Sequence, residues 1–265
     1  MDIYFLGGGN MAAAIAGGLV KQGGYRIHMV ERNAERRGWL AEELGAVVYE
    51  TLPVLGVHDV LVLAVKPQDM RAACAGLETN GALVLSVAAG LDTETLSRFL
   101  NGNGRIIRMM PNTPAQVGQG LSGMFAADSA SPADKAVADQ IMQTAGRTVW
   151  LDREDEMHAI TGISGSGPAY VFYLMDALQK AAEQQGFSSE TARGLSLATF
   201  KGAVALAEQS GTDFAVLQQN VTSKGGTTHE AIEMFRRHQV AEAIAKGVDA
   251  CVARSQEIAE ELKAV

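Results

Sequence analysis

The sequence predicts an α/β protein in which a doubly wound, mostly parallel sheet precedes a second, all-helical domain. Short apolar runs alternate with helical patterns over residues 1–151, and no strand-like run follows in residues 152–265. Strands that alternate with helices favour a parallel sheet with right-handed crossovers. A glycine-rich turn directly after the first run is a third indication, since such turns open the first helix of doubly wound folds. We therefore predict two domains, residues 1–151 and residues 152–265.

The elements of the first domain follow from the positions of its apolar runs. Run 60–65 contains only Val, Leu and Ala, which is typical of a strand buried on both faces. After Pro111 the pattern loosens until a helix begins at Pro132. The predicted strands span residues 3–6, 26–30, 46–49, 60–65, 82–88, 105–110 and 148–150, and the predicted helices span residues 11–21, 34–44, 93–100 and 132–145.

Helical periodicity dominates the second domain. Pro168 stands at a permitted first-turn position and Gly186 follows as a stop signal. The predicted helices span residues 168–185, 188–210, 213–220, 227–238 and 240–264. Their Ala, Gly and Met residues lie on more than one face, and a domain of about 110 residues cannot bury all of them alone. We therefore expect self-association as a homodimer or a higher oligomer.

The composition argues against several classes of protein. The formal net charge is −8, and no run of cations is available to neutralise the phosphates of a nucleic acid. The longest stretches without charged residues contain Pro, Gly, Ser and Asn, so no membrane span is predicted. Asp2 stands where a signal peptide would carry Lys or Arg. Cys74 and Cys251 lack metal-binding spacing, so we expect a cytoplasmic protein with reduced thiols and no metal site.

The turn after the first strand has the spacing of a dinucleotide-binding motif. Gly7, Gly9 and Ala12 fit the pattern G-x-G-x-x-A. The first glycine permits the tight bend, the second lets the backbone approach a pyrophosphate, and the alanine lets the helix pack on the strand. The motif predicts a Rossmann-type domain; the alternative is a tight turn without a ligand. The predicted cofactor-binding residues of the turn are Gly7, Gly8, Gly9, Asn10 and Met11.

The residues after the second strand favour two different cofactors. Glu31 stands where an acidic residue would bind the ribose 2′-OH of NADH, whereas Arg32 and Arg36 suit the 2′-phosphate of NADPH. Because Arg32 next to Asn33 makes a compact anion site, we predict that these two residues bind NADPH in preference to NADH. NADH remains possible as a second cofactor. Alternatively these charges, with Glu35, form a solvated cluster at a helix start.

Five stretches of the chain together resemble the pyrroline-5-carboxylate reductase family. They read GGGNMA at 7–12, AVKP at 64–67, RMMPNTP at 108–114, GSGPAY at 165–170 and VTSKGGTT at 221–228. The resemblance covers nearly the whole chain and implies a Rossmann domain followed by an all-α dimerisation domain. It also implies hydride transfer from NAD(P)H to the C=N bond of 1-pyrroline-5-carboxylate, which gives L-proline in the last step of proline biosynthesis. Lys224 departs from the family, which usually has proline there, and is expected to alter the stiffness and charge of its loop.

Loop 223–228 has the chemistry of a carboxylate site. Gly225 and Gly226 expose backbone N–H groups, Ser223 and Thr227 offer hydroxyls, and the next helix directs its positive end at an anion. By resemblance, Thr228 is the catalytic residue that hydrogen-bonds the substrate nitrogen. The alternative is a helix cap with a preceding turn and no ligand. The predicted substrate-binding residues are Ser223, Lys224, Gly225, Gly226, Thr227, Thr228 and Glu208.

Glu208 and His229 are polar residues associated with this loop. By resemblance, Glu208 falls near a family glutamate of a substrate pocket built by the dimer. His229 lies one residue beyond Thr228, roughly 100° around the helix, so we expect an outward or packing role rather than proton donation. These motifs contain no strong acid or base. An imine arrives protonated, so orientation and preorganised dipoles are expected to supply most of the acceleration.

Loops at the carboxyl ends of the strands are expected to line the nicotinamide side, because open α/β sheets bind ligands there. Lys66 precedes a proline, so we expect it to shape its loop, with its backbone toward the cofactor, rather than to act chemically. The predicted cofactor-binding residues of these loops are Ala64, Val65, Lys66, Pro67, Ala89 and Asn112.

Two other functions stay open at this point. A β-hydroxyacid dehydrogenase shares the domain plan but needs a lysine base near the start of the long helix after the sheet. No lysine precedes Lys180 there, and loop 223–228 would be unexplained. A non-catalytic NADP-binding regulator would bind the cofactor without turnover.

Overall fold

The computed structural model describes residues 1–263 and divides the chain into two compact units. The sheet unit comprises Met1–Ser166 and the C-terminal segment from Cys251, and the helical unit is Gly167–Ala250. These units differ from the predicted domains because segments beyond residue 151 pack on the sheet. Met157 and Ala259, for example, are buried in the sheet unit. Periodicity predicts that a segment is helical, but it does not predict which body covers its apolar face.

An eight-stranded sheet forms the centre of the sheet unit. Its strands are β1 (Asp2–Leu6), β2 (Arg26–Val30), β3 (Val47–Tyr49), β4 (Val60–Leu63), β5 (Leu83–Ser86), β6 (Ile106–Met110), β7 (Gly120–Ala126) and β8 (Gly146–Trp150). Their order is β3-β2-β1-β4-β5-β6-β7-β8. The pairs from β3 to β6 are parallel, β7 is antiparallel to β6, and β8 is parallel to β7. The predicted mostly parallel sheet is confirmed.

Strand β7 was not predicted from the sequence. It contains two glycines, which weaken a strand pattern. Both glycines are needed for close packing. A Cβ on Gly120 would lie 2.8 Å from the Ala145 carbonyl oxygen, and one on Gly123 would lie 2.5 Å from Cγ2 of Ile160. Close packing therefore requires glycine at two positions of β7, and the same glycines interrupt the apolar pattern by which a strand is predicted.

Helices pack on the sheet, and helices joined by short loops form the helical unit. Those that begin in the sheet unit are α1 (Asn10–Gln22), α2 (Ala34–Leu44), α3 (Met70–Cys74), α4 (Thr93–Phe99), α5 (Pro132–Met142) and α6 (Glu156–Ile160). Those that begin in the helical unit are α7 (Gly167–Gln184), α8 (Ser189–Ser210), α9 (Phe214–Asn220), α10 (Thr227–Arg237) and α11 (Val240–Lys263). The last predicted helix, 240–264, includes residue 264, which lies outside the described residues. Among residues 1–263, none of the helices combines the length and apolar character needed to span a bilayer.

Alternate residues of the central strands enter two separate cores. In β4, Val60 and Val62 belong to one cluster of buried side chains, whereas Leu61 and Leu63 belong to the other. All four are at most 2% exposed. Such a strand is covered on both faces, as the continuous apolar run predicts.

An ion pair joins Arg105, a partly exposed residue directly before β6, to the buried Asp134 of α5. The Asp134 side chain, 3% exposed, accepts hydrogen bonds from Nε and Nη2 of Arg105 at 3.0 and 2.5 Å and from the Ser131 backbone at 2.9 Å. The hydrogen bond from Arg105 is the largest cause that lowers the pKa of Asp134 below its ordinary value. The ionised carboxylate therefore stabilises the fold.

We expect Asp134→Asn to lower the free energy of unfolding at pH 7 by about 2 kcal/mol, because the hydrogen bonds from the partly exposed Arg105 lose their ionised acceptor. The folded pKa is depressed, so the stabilisation is present above the unfolded value of about 3.9 and is lost as the pH falls through the folded pKa. Denaturant unfolding at pH 7 and in acid measures both effects. Asp128→Asn, at an exposed position, is the control; equal losses in both variants would contradict the assignment.

Candidate dinucleotide site and substrate loop

The glycine turn begins directly after β1 in a conformation that only glycine adopts readily. The Gly7 N–H donates to the Val30 carbonyl at 2.9 Å, so the turn is tied to β2. Its φ is +104°, and a Cβ would lie 2.8 Å from the Ala64 carbonyl oxygen. Gly7 therefore permits the bend, as the motif predicts.

Gly9 has a different reason to be glycine. It is the N-cap of α1 with extended backbone (φ −66°, ψ 179°) and no side-chain cap, and no heavy atom lies within 4 Å of an added Cβ. The first N–H groups of a helix lack intrahelical partners and carry partial positive charge. Those of Asn10 and Met11 lie in this position. Among the described residues, none approaches the Cβ position of Gly9, so the backbone is open there to a pyrophosphate.

Gly8 lies between Gly7 and Gly9, and both its N–H and its carbonyl form hydrogen bonds with side chains of residues that follow β2. Glu31 Oε2 accepts a hydrogen bond from the Gly8 N–H at 3.0 Å, and Arg36 Nε donates to the Gly8 carbonyl at 2.7 Å. The guanidinium of Arg36 also lies 4.1 Å from the ring centroid of Trp39. A Cβ on Gly8 would approach Cδ1 of Leu40 to 2.5 Å. Sequence reasoning considered Arg36 as a phosphate ligand, but it did not predict that Arg36 binds the glycine turn.

The predicted cofactor-selecting residues lie at the start of α2. Asn33 is the N-cap, because its Oδ1 accepts from the Arg36 N–H at 2.8 Å, while its own N–H donates to Glu31 Oε1 at 2.9 Å. Arg32 is exposed. Arg37, which sequence reasoning missed, donates from Nη1 to the carbonyls of Glu31 and Arg32 at 2.7 and 2.8 Å and so supports the turn from α2.

The loops after β4 and β5 lie at the same edge of the sheet as the glycine turn. The Ala64 N–H donates to the Leu6 carbonyl at 2.9 Å, which places residues 64–67 beside the turn. Lys66 is exposed and extended (φ −62°, ψ 143°) before Pro67, as expected for a residue that shapes its loop. Ala89, after β5, lines a small cavity with His158 and Arg108.

Asn112, after β6, uses its side chain within the fold. Its Oδ1 accepts from the Leu121 N–H at 2.9 Å, and its Nδ2 donates to the carbonyl and hydroxyl oxygens of Ser164 at 3.1 and 3.2 Å. The side chain thus joins the loop after β6 to β7 and to the π-helical turn Thr161–Gly165. These contacts give Asn112 a structural role in addition to the cofactor contact that we predict.

A polar cluster that sequence reasoning missed lies at the carboxyl end of β6. Arg108, 7% exposed, donates to Glu154 Oε1 at 2.9 Å, and the Glu154 carboxylate also accepts from the Thr93 N–H and hydroxyl. His158 Nδ1 lies 2.9 Å from the Ser255 hydroxyl oxygen. Burial, with smaller contributions from Arg108 and Lys263, lowers the pKa of His158. The partners lie 46 to 97 residues apart in the chain, so no local motif marks this cluster.

In the helical unit, loop 223–228 forms a turn directly before α10. The Gly226 N–H donates to the Ser223 carbonyl at 3.0 Å, and Gly225 has a φ of +71°. A Cβ on Gly226 would collide with the Ser223 hydroxyl. Lys224 occupies the second position of this turn, and its side chain is exposed. The turn therefore forms with lysine at the position where the resemblance implies proline.

Gly226, rather than a threonine, is the N-cap of α10, and it has no side-chain capping bond. Thr228 is the second residue of the helix and is exposed, as is Thr227. A pure capping role for Thr228 therefore has no support in the local geometry. Both threonines belong to the first turn of α10, whose backbone N–H groups lack intrahelical partners, and such a helix start suits an anion. Glu208 is exposed near the end of α8.

Strand order, the glycine turn after β1 and the open start of α1 together define a dinucleotide-binding protein of the Rossmann class. Comparison with known proteins narrows this class. Residues 154–258 match the family model described as pyrroline-5-carboxylate reductase dimerisation, and residues 2–90 match that described as NADP oxidoreductase, coenzyme F420-dependent. The chain is 40% identical to the pyrroline-5-carboxylate reductase of Pasteurella multocida over 97% of both chains. It belongs to the pyrroline-5-carboxylate reductase family.

Solved structures agree with this assignment. The pyrroline-5-carboxylate reductase of Coxiella burnetii is 35% identical, with a TM-score of 0.85 over 97% of both chains. The pyrroline carboxylate reductase of Plasmodium falciparum, solved with NADP bound, has a TM-score of 0.86 over 98% of both chains. Its identity is 24%, so it shows a likeness of fold alone.

Proposed function

We propose that this chain transfers a hydride from NADPH, or less efficiently NADH, to the C=N bond of 1-pyrroline-5-carboxylate and so forms L-proline. The observation that carries the proposal is the 40% identity to a pyrroline-5-carboxylate reductase over nearly the full length. The glycine turn supports it independently, because Gly9 leaves open the space that a pyrophosphate needs. A biosynthetic reductase is also compatible with the cytoplasmic location that the sequence predicts.

The residues have distinct tasks in this reaction. Bound NADPH supplies the hydride, which goes to the imine carbon, while the π electrons of the C=N bond become a lone pair on the nitrogen of the protonated substrate. The turn at Ser223–Gly226 and the first N–H groups of α10 bind the substrate carboxylate. The Thr228 hydroxyl accepts a hydrogen bond from the substrate N–H and so orients the ring. Orientation and fixed dipoles then supply the acceleration, without a side chain that must exchange a proton.

The test is NADPH oxidation by the purified protein, followed at the nicotinamide absorbance with pyrroline-5-carboxylate as substrate and with proline identified as product. We expect turnover that depends on both reactants. Cofactor binding without turnover would favour the regulator, and oxidation of a 3-hydroxy acid without imine reduction would favour the dehydrogenase. Either result overturns the proposed reaction.

Arg32→Ala is expected to weaken NADPH binding far more than NADH binding. The loss for NADPH should be about 1.5–3 kcal/mol, the range of a charge-assisted hydrogen bond to the 2′-phosphate. The side chain of Arg32 is exposed, so its removal is not expected to disturb the fold. Titration of both cofactors by calorimetry measures the difference, and equal losses would contradict the role of Arg32.

The apolar surface of the helical unit supports assembly as a homodimer. Within residues 167–250, all of which are described, Ala192 and Ser196 are the only buried residues. Large side chains remain uncovered, among them Phe172 at 63% and Phe214 at 81% exposed. Monomeric proteins rarely leave so many large apolar side chains exposed, so a second copy that covers them stabilises both.

Light scattering should therefore give at least twice the chain mass of 28.0 kDa. Phe172→Glu should shift the protein toward monomer, because a carboxylate would have to be buried in the interface. Val54→Glu, at an exposed apolar position of the sheet unit, is the matched control and should leave the mass unchanged. An active, monodisperse monomer of the unmodified chain would refute the homodimer.

A further inference from the structure

The loop after β5, residues 87–92, leads from the sheet into α4 at the edge where we predict the nicotinamide to bind. Ala88 and Gly90 are buried, and Ala89, the predicted cofactor-binding residue, is half-buried between them. These three residues line, together with Arg108, a cavity of about 10 Å³, which leaves room for one water molecule at most. The loop therefore lies on a closely packed base.

The end of α11 covers the middle of this loop. A Cβ on Gly90 would lie 3.0 Å from Cδ1 of Leu262 and 3.3 Å from Cγ2 of Ile258. Lys263 Nζ lies 3.3 Å from Asp92 Oδ2, in a pair that is partly exposed. Apolar contact is not directional, and an exposed ion pair contributes little. These contacts cover the loop, but they do not define its position to a fraction of an ångström.

Directional hydrogen bonds hold the far end of the loop. Thr93 follows the loop as the first residue of α4, so its N–H has no partner within the helix. Glu154 accepts from this N–H at 2.7 Å through Oε1 and from the Thr93 hydroxyl at 2.9 Å through Oε2. Arg108 Nη1 donates to the same carboxylate at 2.9 Å, and Arg108 lies in β6, which pairs with β5. Glu154 therefore ties the end of the loop to the sheet.

We propose that Glu154 is a positioning residue for hydride transfer, because it fixes the loop that we predict to line the nicotinamide ring. The inference rests on the proposed reductase function and extends it to a residue that acts through the loop. Hydride transfer requires the nicotinamide carbon and the imine carbon in near-contact geometry, and a displacement of about 1 Å can cost about 100-fold in rate. Charge-assisted hydrogen bonds combine the strength and the direction that such positioning needs.

The test is Glu154→Gln. Glutamine keeps the length of the side chain, but its amide nitrogen cannot accept from Thr93 or Arg108, so part of the tie is lost. We expect kcat about tenfold lower. The isotope effect on kcat with NADPH deuterated at the transferred position should rise, because the chemical step becomes slower relative to product release. Affinity for adenosine 2′,5′-bisphosphate, which lacks the nicotinamide, should be unchanged in calorimetry.

A matched variant separates positioning from a general loss of stability. Asp139 is also a carboxylate that joins two elements, since it accepts from the Thr148 hydroxyl at 2.7 Å and from Trp150 Nε1 at 2.9 Å. These partners belong to β8, three strands away from β5. Asp139→Asn should lower the melting temperature but leave kcat and the isotope effect unchanged.

Milder changes at Thr93 test the same tie if Glu154→Gln does not fold. Thr93→Val removes only the hydroxyl bond and should lower kcat about threefold. Thr93→Ser keeps the hydroxyl and should retain the activity of the unmodified protein. Equal kcat values in Glu154→Gln and Asp139→Asn overturn the proposal, as does a Thr93→Val variant that is as fast as Thr93→Ser.

The fluorescence anisotropy of bound NADPH gives a readout that does not depend on turnover. Because the reduced nicotinamide is the fluorophore, a loosened loop should lower the anisotropy at saturation in Glu154→Gln and leave it unchanged in Asp139→Asn. Equal anisotropy in the two variants would contradict the role of Glu154. Absence of pyrroline-5-carboxylate reduction by the unmodified protein would overturn the proposed function instead, and the anisotropy would still decide whether Glu154 fixes the nicotinamide ring.

Discussion

Thr228→Ala should lower kcat/KM for pyrroline-5-carboxylate by about 100-fold, or about 2.7 kcal/mol of transition-state stabilisation. The hydroxyl is proposed to orient the substrate nitrogen, and alanine keeps the helix but removes the acceptor. NADPH affinity should stay nearly unchanged, because the glycine turn at residues 7–9 belongs to the sheet unit and Thr228 to the helical unit. Thr228→Ser, which keeps the hydroxyl, should retain most of the activity.

The melting temperature of the same two variants tests the structural alternative. If Thr228 served only to cap α10, alanine would cost about 1 kcal/mol of stability and leave kcat/KM alone. The N-cap of α10 is Gly226, so we expect little change in melting temperature. Early melting of Thr228→Ala with normal turnover would show that this loop is not the catalytic centre.

Gly9→Ala should weaken NADPH binding by about 100-fold or more while the protein remains folded, because its Cβ would occupy the space in which the backbone approaches the pyrophosphate. The substitution itself is tolerated by the fold. The φ of −66° suits any residue, and no heavy atom lies within 4 Å of the added carbon. Calorimetry with NADPH and thermal melting, performed on the same sample, measure the two properties separately.

Two further glycine-to-alanine substitutions serve as controls for Gly9→Ala. Gly7→Ala should lose both stability and affinity, since its φ is +104° and its Cβ would meet the Ala64 carbonyl. Gly38→Ala, in open space on the exposed side of α2, should leave affinity unchanged and stabilise its helix by up to about 1 kcal/mol. Unchanged NADPH affinity in Gly9→Ala would mean that the pyrophosphate does not bind at this turn.

Much of the fold could be predicted from local patterns. The apolar run 60–65 predicted a strand covered on both faces, and β4 has alternate residues in two cores. Two features were not predicted, strand β7 and the packing of α6 on the sheet, and both have the same cause. β7 carries glycines because Ala145 and Ile160 approach it closely, and α6 belongs with the sheet because Met157 is buried there. Both depend on neighbours distant in sequence, and periodicity contains no information about such neighbours.

The same division applies to the candidate site. The sequence by itself determined the glycine turn, the helix that follows it and the loop 223–228, because these depend on backbone freedom and helix ends, which are local properties. Only the tertiary structure decided which polar side chains form hydrogen bonds within the fold. These are Arg36 with Gly8, Asn112 with Ser164, and Glu31 with Gly8 and Asn33. Most of these bonds join separate elements, and a pattern of residue types cannot predict them because each depends on the packing that brings donor and acceptor within about 3 Å.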